Sequence, residues 1–248
     1  MVSRSGEGRV VAVIPAYNEE RRIGDVVRRT RRFVDQVIVV DDGSSDGTAR
    51  EARDAGALVV AHPANMGKWA ALKTGVRAAL SGGADIVVTL DADGQHLPEE
   101  IPRLISALED ADVAAGFRSR EEMPTVRRLS NFITTGILRV LFGVRVRDSQ
   151  CGFRAYRREA AELLLGVEGS GYEGETESLV LLARAGMRLR EVPVSTIYAG
   201  EESKIRAARD IARFSKTVLR LLLGGGAKRE EKRGVGAASP NGRSSGQQ

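Results

Sequence analysis

The sequence predicts an α/β protein with a mostly parallel central sheet flanked by helices. Three observations carry this. Over residues 10–116, short Val/Ile-rich runs alternate with amphipathic helical patterns. Asp-, Gly- and Ser-rich turns separate them. The polar clusters fall where the apolar runs end.

Strands are expected at 10–14, 36–40, 57–61, 86–90 and 113–116, with helices between them at 19–34, 46–55, 68–81 and 98–109. The turn Asp42-Gly43-Ser44-Ser45-Asp46-Gly47 supplies a tight reversal and an Asp N-cap for the second helix. Pro98 followed by Glu99 and Glu100 suits a first helical turn. Beyond residue 116 the pattern changes. A long, mostly apolar helix is expected at 126–142, then a loop at 148–153 and helical stretches near 157–165 and 173–185. A strand at 188–192 leads into extended chain at 193–198. An amphipathic helix at 210–223 places Ile211, Phe214, Val218, Leu221 and Leu222 on one face. From Gly224 onward the Gly/Ser/charged composition cannot build a core, so a disordered tail is expected after a single domain over 9–223. No internal repeat is evident.

With 248 residues the chain is long enough for one fully buried core. The single cysteine, Cys151, excludes an internal disulfide framework and fits a reducing compartment; no reactive environment marks it, so a structural role is expected. Residues 1–9 lack the apolar stretch of a signal peptide, and no run of about 18 apolar residues free of charge predicts a membrane-spanning helix. The net charge of +5 is concentrated. Residues 125–147 hold Arg127, Arg128, Arg139, Arg145 and Arg147 with no acid, and residues 204–220 hold six basic groups against Asp210. Localised basicity predicts a binding surface, and no motif points to nucleic acid.

Four polar clusters lie at expected carboxyl ends of strands, where open α/β sheets bind ligands: Pro15-Ala16-Tyr17-Asn18-Glu19-Glu20, Asp41-Asp42-Gly43-Ser44, Asn65-Met66-Gly67-Lys68 and Asp91-Ala92-Asp93-Gly94-Gln95-His96. Asp91 and Asp93, two residues apart at a strand end, are a hard-oxygen pair suited to Mg2+ or Mn2+, which keeps positions open for phosphate. Gln95 adds a neutral oxygen and His96 a further ligand atom. A turn role competes with this reading. A calcium loop does not, since the twelfth positions are Arg53 and Pro102 rather than Glu.

The motifs VIPAYNEE (13–20), VDDGSSDGT (40–48), NMGKWAALKTG (65–75) and LDADGQH (90–96) resemble the family 2 glycosyltransferases of GT-A fold. DSQCGFRAYRR (148–158) and TIYAGEESKI (196–205) narrow the resemblance to the branch of polyprenyl- and dolichyl-phosphate hexose synthases. It implies that Pro15, Tyr17 and Glu19 contact the nucleotide of a nucleotide-diphosphate sugar. One of Asp41 and Asp42 does the same while the other holds the turn. Lys68 either reaches the nucleotide or is a solvated first-turn lysine. Asp91 and Asp93, with Gln95, form the metal and diphosphate site, and Asp91 and Ala92 also contact the donor nucleotide. Arg118 faces the same edge and suits a phosphate. Lys204, helped by Arg206, is expected in a loop over the donor diphosphate.

The resemblance further implies inversion in one in-line displacement, with GDP-mannose or UDP-glucose as donor and a polyprenyl phosphate as acceptor. That acceptor is already ionised, so no strong base is required, and beyond Asp148 none stands out. Arg118, Arg127, Arg128 and Lys204, with Ser130 and Asn131, are the set expected to hold its phosphate. The helices at 126–142 and 210–223 either lie on an anionic membrane surface or pack on the domain. A cytoplasmic protein, peripheral at the membrane, is expected. Members of this branch with C-terminal membrane helices differ from this chain. Glu173, Glu175 and Glu177 read as a solvated helix start, and His62 as a loop residue without a marked partner. Two alternatives remain open. One is transfer to a soluble acceptor. The other is a sugar-nucleotide pyrophosphorylase, which wants a Gly-rich loop where Pro15-Ala16-Tyr17-Asn18-Glu19 stands.

Overall fold

The computed structural model describes residues 8–119, 123, 125–171, 173–197 and 207–224. Seven strands form one sheet: β1 (Val10–Ala16), β2 (Gln36–Asp41), β3 (Leu58–Ala61), β4 (Ile86–Thr89), β5 (Val113–Arg118), β6 (Arg154–Arg157) and β7 (Leu189–Val194). Their order is β3-β2-β1-β4-β6-β5-β7. All pairings are parallel except those of β6, which runs antiparallel to both neighbours. The helices are α1 (Glu20–Thr30), α2 (Thr48–Asp54), α3 (Lys68–Ser81), α4 (Ile101–Ser106), α5 (Thr125–Phe142), α6 (Arg158–Leu164), α7 (Glu173–Arg184) and α8 (Ala207–Leu222).

β1, β2 and β4 are apolar almost throughout because both faces of the sheet are covered there. Val10, Ala12 and Ile14 pack with Ile23, Val27, Ile101 and Leu104 from α1 and α4. Val11 and Val13 point the other way, toward Trp69, Leu72 and Val76 of α3 and Leu164 of α6. A third cluster joins α5, α7 and α8 through Leu138, Leu179, Val180 and Leu221. The two amphipathic helices therefore pack on the domain through one face. Their opposite faces keep Leu129, Phe132, Ile133, Val140 and Leu141 on α5, and Leu219 and Leu222 on α8, exposed.

Several expectations are corrected. β6 was not foreseen; residues 154–157 read as loop and helix start. Its sequence, Arg-Ala-Tyr-Arg, has no apolar run, and its arginines look solvated until their long-range partners are known. The helix expected over 98–109 is a single α-helical turn and a half between two 3-10 turns, with Pro102 near its start removing a backbone donor. α1 stops at Thr30, short of residue 34. β5 reaches Arg118, and β7 runs through Pro193 to Val194. Proline is tolerated there because β7 is an edge strand, paired only with β5. Asp46 acts one residue further out than an N-cap. The helix begins at Thr48, whose N–H donates to Asp46 Oδ1 (3.0 Å), while Glu20 N–H donates to Asp46 Oδ2 (3.2 Å). The tail expected beyond Gly224 lies outside the described residues. Among the described residues no helix is long and apolar enough to cross a membrane.

Candidate functional site

β1, β2 and β4 all run in one direction, so their carboxyl ends meet at one edge. Pro15, Tyr17, Glu19, Asp42, Lys68, Asp91, Ala92, Asp93, Gln95 and Arg127 line a single cleft there of about 250 Å3, together with Asn65 and Gly67. Ten of the residues singled out from sequence are thus gathered around one space.

The wall of the cleft is built by local hydrogen bonding. Asn18 takes a positive φ of 54°, and its side-chain carbonyl accepts from Ser45 N–H (2.9 Å), clamping the first loop to the second. Gly43 also sits at positive φ, and a Cβ on it would meet the Ala64 backbone at 2.5 Å, so only glycine lets these loops approach. Asp41 accepts from Ser44 N–H (3.1 Å) and sets the turn. Asp42 accepts from Met66 N–H (2.9 Å) and Gly67 N–H (2.8 Å), tying the third loop to the second. His62, expected to lack a partner, bridges Asp42 (2.8 Å) and the Thr74 hydroxyl (3.0 Å).

The floor carries the charge. Lys68 Nζ lies 2.7 Å from Asp91 Oδ1 and 3.0 Å from Glu175 Oε1, so it is not the solvated lysine that was one expectation. Burial is the largest influence on Asp91 and opposes its ionisation, but the Lys68 charge and hydrogen bond together with neighbouring positive charge draw the carboxyl down to about 2. Gln95 N–H donates to Asp93 Oδ1 (3.0 Å), and Gln95 Oε1 accepts from Arg127 (3.3 Å), which turns that oxygen toward α5. His96 is buried and stacked on Phe153 at 5.1 Å, with Nδ1 facing Asp91 N–H (3.4 Å) and Nε2 facing Cys151 Sγ (4.0 Å). Burial lowers its pKa to about 4, so the ring is neutral and supports the floor instead of adding a ligand atom to the cleft. Burial likewise pushes the Cys151 thiol up to about 12, in keeping with its expected structural role.

Among the described residues no group of three His, Cys, Asp or Glu side chains could cage a metal. Asp91 and Asp93 still fit Mg2+ or Mn2+. Such ions take one or two carboxylates and complete their shell with water and phosphate oxygens. Any such ion would share the Asp91 carboxylate with the Lys68 ammonium.

Several other residues have partners the sequence did not indicate. Arg118 is buried and forked onto Asp148, with Nε···Oδ2 at 2.7 Å and NH2···Oδ1 at 3.1 Å. That carboxylate is held below the ordinary range: burial opposes, and the Arg118 hydrogen bonds and charge prevail. Arg118 thus anchors the 148–153 loop, and it borders a separate hollow with Arg103, Arg147 and Ser195. Ser130 Oγ accepts from Gln150 (2.9 Å), and Asn131 braces the chain at Arg147 and Ser149. Arg128 is exposed. Glu173, Glu175 and Glu177, expected to be solvated, are all buried. Glu173 and Glu177 accept backbone N–H groups of residues 168–171 just before α7. Lys204 and Arg206 lie outside the described residues. Sequence reasoning missed Arg154, which is fully buried. Its guanidinium donates to the carbonyls of Cys151 (2.8 Å) and Ser149 (3.1 Å) and to Ser178 Oγ (3.1 Å). The only signal was an arginine set among apolar neighbours in Gly-Phe-Arg-Ala-Tyr.

Residues 11–165 match the family model for glycosyl transferase family 2. The chain belongs to that family. Among its relatives, the UDP-N-acetylglucosamine–dolichyl-phosphate N-acetylglucosaminyltransferase of Methanococcus voltae is 32% identical over 86% of this chain and 95% of its own length. The undecaprenyl-phosphate mannosyltransferase of Micrococcus luteus is 34% identical over 76% of this chain and 84% of its own. Among solved structures, glucosyl-3-phosphoglycerate synthase from Mycobacterium tuberculosis in complex with Mn2+, UDP-glucose and phosphoglyceric acid superposes with a TM-score of 0.65. It is 26% identical, covering 90% of this chain and 82% of that one. Membership in this family sets the pyrophosphorylase alternative aside.

Proposed function

We propose that this glycosyltransferase moves a hexose from a nucleoside-diphosphate sugar to a polyprenyl phosphate, inverting the anomeric carbon, while lying against an anionic membrane surface. The observation that carries the reading is the shared cleft. The strand-end residues and the Asp91/Asp93 pair meet Arg127 there, and Arg127 belongs to the helix with the exposed apolar stripe. Relatives named for dolichyl- and undecaprenyl-phosphate support the acceptor class.

In this reading Pro15, Tyr17 and Glu19 receive the nucleoside, Asp42 rims its pocket, and Asp41 sets the turn. Asp91 and Asp93 would hold Mg2+ or Mn2+, which would supply positive charge against the leaving diphosphate. Asp91 stays ionised at any working pH. Lys68 offers a second positive charge to the diphosphate. Because Arg118 is matched by Asp148, the acceptor phosphate falls to Arg127, Arg128 and Lys204. Leu129, Phe132 and Ile133 rest in the membrane interface beside them, which sets the lipid's phosphate at the mouth of the cleft.

The test is transfer of radiolabel from GDP-mannose, UDP-glucose and UDP-N-acetylglucosamine to undecaprenyl phosphate in vesicles. Label in the organic phase with one donor is expected. Label found only in a soluble product such as a glycosylated glycerate would replace the lipid acceptor with a soluble one. Absence of transfer to either would sink the reading.

A further inference from the structure

Four successive backbone N–H groups just before α7 end on two carboxylates of that helix. Ser170 and Gly171 donate to Glu173 Oε1 at 3.1 and 3.0 Å. Glu168 and Gly169 donate to Glu177 Oε1 and Oε2 at 3.0 and 2.9 Å. The segment they fix supports one corner of the cleft. The Ser170 carbonyl accepts from Trp69 N–H (3.1 Å) in the first turn of α3, and a Cβ on Gly67 would lie 2.5 Å from that carbonyl. Gly67 and Lys68, which precede Trp69, line the cleft. Further along α3, Lys73 donates to the Val167 carbonyl at 2.6 Å, so segment and helix are joined at two points.

Glu177 is buried, and the cation that faces it comes from α8: Arg220 NH2 stands 2.6 Å from Glu177 Oε2. The same guanidinium pairs with the exposed side chain of Glu168. Leu221, the next residue, is in the core, whereas Leu219 and Leu222 are exposed, so the place of Arg220 is set by how α8 seats on the domain. Without Arg220 the Glu177 carboxylate keeps its burial and loses its countercharge. It then draws in water or a proton, and either takes acceptor capacity from the N–H groups of Glu168 and Gly169. The slack passes to Ser170 and from there to the start of α3. We propose that Arg220 and Glu177 are positioning residues that make the Gly67–Lys68 corner depend on the seating of α8, so that a nucleoside diphosphate binds tightly only while α8 is docked. The inference rests on the donor-site reading of the cleft and adds control by a helix that contributes no lining residue to it.

UDP and GDP are each titrated by calorimetry into the full chain in one Mg2+ buffer, well below the melting temperature, which is recorded for every variant. Arg220→Gln should raise the dissociation constant of whichever nucleotide the unaltered protein binds by about fivefold or more. Arg220→Lys keeps the charge and should recover most of the affinity. In a Glu177→Gln background Arg220→Gln should add little, because both changes break the same tie. By reciprocity, saturating nucleotide should slow amide hydrogen exchange in α8 of the unaltered protein and leave it unchanged in Arg220→Gln. Should Arg220→Gln not fold, Glu177→Gln, which leaves Arg220 its partner Glu168, carries the test with the same expected rise. A lower melting temperature with an unchanged dissociation constant makes the pair a structural tie alone and overturns the proposal, as do additive effects of the two substitutions. An unaltered protein that binds neither nucleotide overturns the donor site itself, and this inference with it.

Discussion

Arg118 meets Asp148 in a fork whose two contacts, at 2.7 and 3.1 Å, are shut away from water, and the pair holds the loop behind the cleft. Asp148→Asn leaves a buried guanidinium without its countercharge and should cost about 3–5 kcal/mol in urea denaturation. The carboxyl is depressed in the folded state. Its stabilisation is therefore complete above the ordinary carboxylate pKa of about 4 and is lost as pH falls from there through the folded value. The Asn variant should accordingly lose less stability as pH falls below about 4. At the cleft, Asp93→Asn should lower turnover on the order of 100-fold with little change in the melting temperature, since the carboxylate lies in the cleft and not in the core. Cys151 is buried with its thiol raised to about 12, so iodoacetamide at pH 8 should leave the native protein unmodified by mass spectrometry and label it in urea.

The long helix α5 shows two opposed faces. Leu138 joins the core, while Phe132 and Ile133, 65% and 51% exposed, are part of an apolar stripe. Phe132→Asp with Ile133→Asp should weaken partition onto anionic vesicles about tenfold or more in flotation, and leave nucleotide binding intact. The start of α7 is set by a close approach: a Cβ on Gly174 would lie 2.3 Å from the Trp69 ring. Gly174→Ala should cost about 1–3 kcal/mol by thermal or chemical denaturation, because the indole has nowhere to retreat. These elements mark where the sequence stops being legible. The strand-and-turn alternation of residues 10–116 names its own partners locally, so the four clusters at the strand ends were readable. Arg154 and Glu175 each pair with groups distant in the chain. In sequence one reads as a surface base in Arg-Ala-Tyr-Arg-Arg, and the other as one acid among three on a wet helix. The strand that carries Arg154 was lost for the same reason, as was the engagement of Arg118. Both depend on what lies opposite, and a single chain does not print that.

Across the whole molecule, the sheet divides at β6. β3, β2, β1 and β4 are parallel neighbours drawn from the first ninety residues, whereas β4 and β5 are both satisfied by a strand that comes later and runs the other way. Running backward, β6 begins at the edge where its neighbours end, and so it delivers the Asp148–Phe153 loop directly beneath Asp91 and His96. The arrangement matters also during synthesis. A ribosome releases Ile86-Val87-Val88-Thr89 long before residue 154, and until then an apolar strand shows an open row of amides and carbonyls. The nascent chain thus passes through a stage in which its sheet has an adhesive border. That border closes only when β6 arrives and pairs along it.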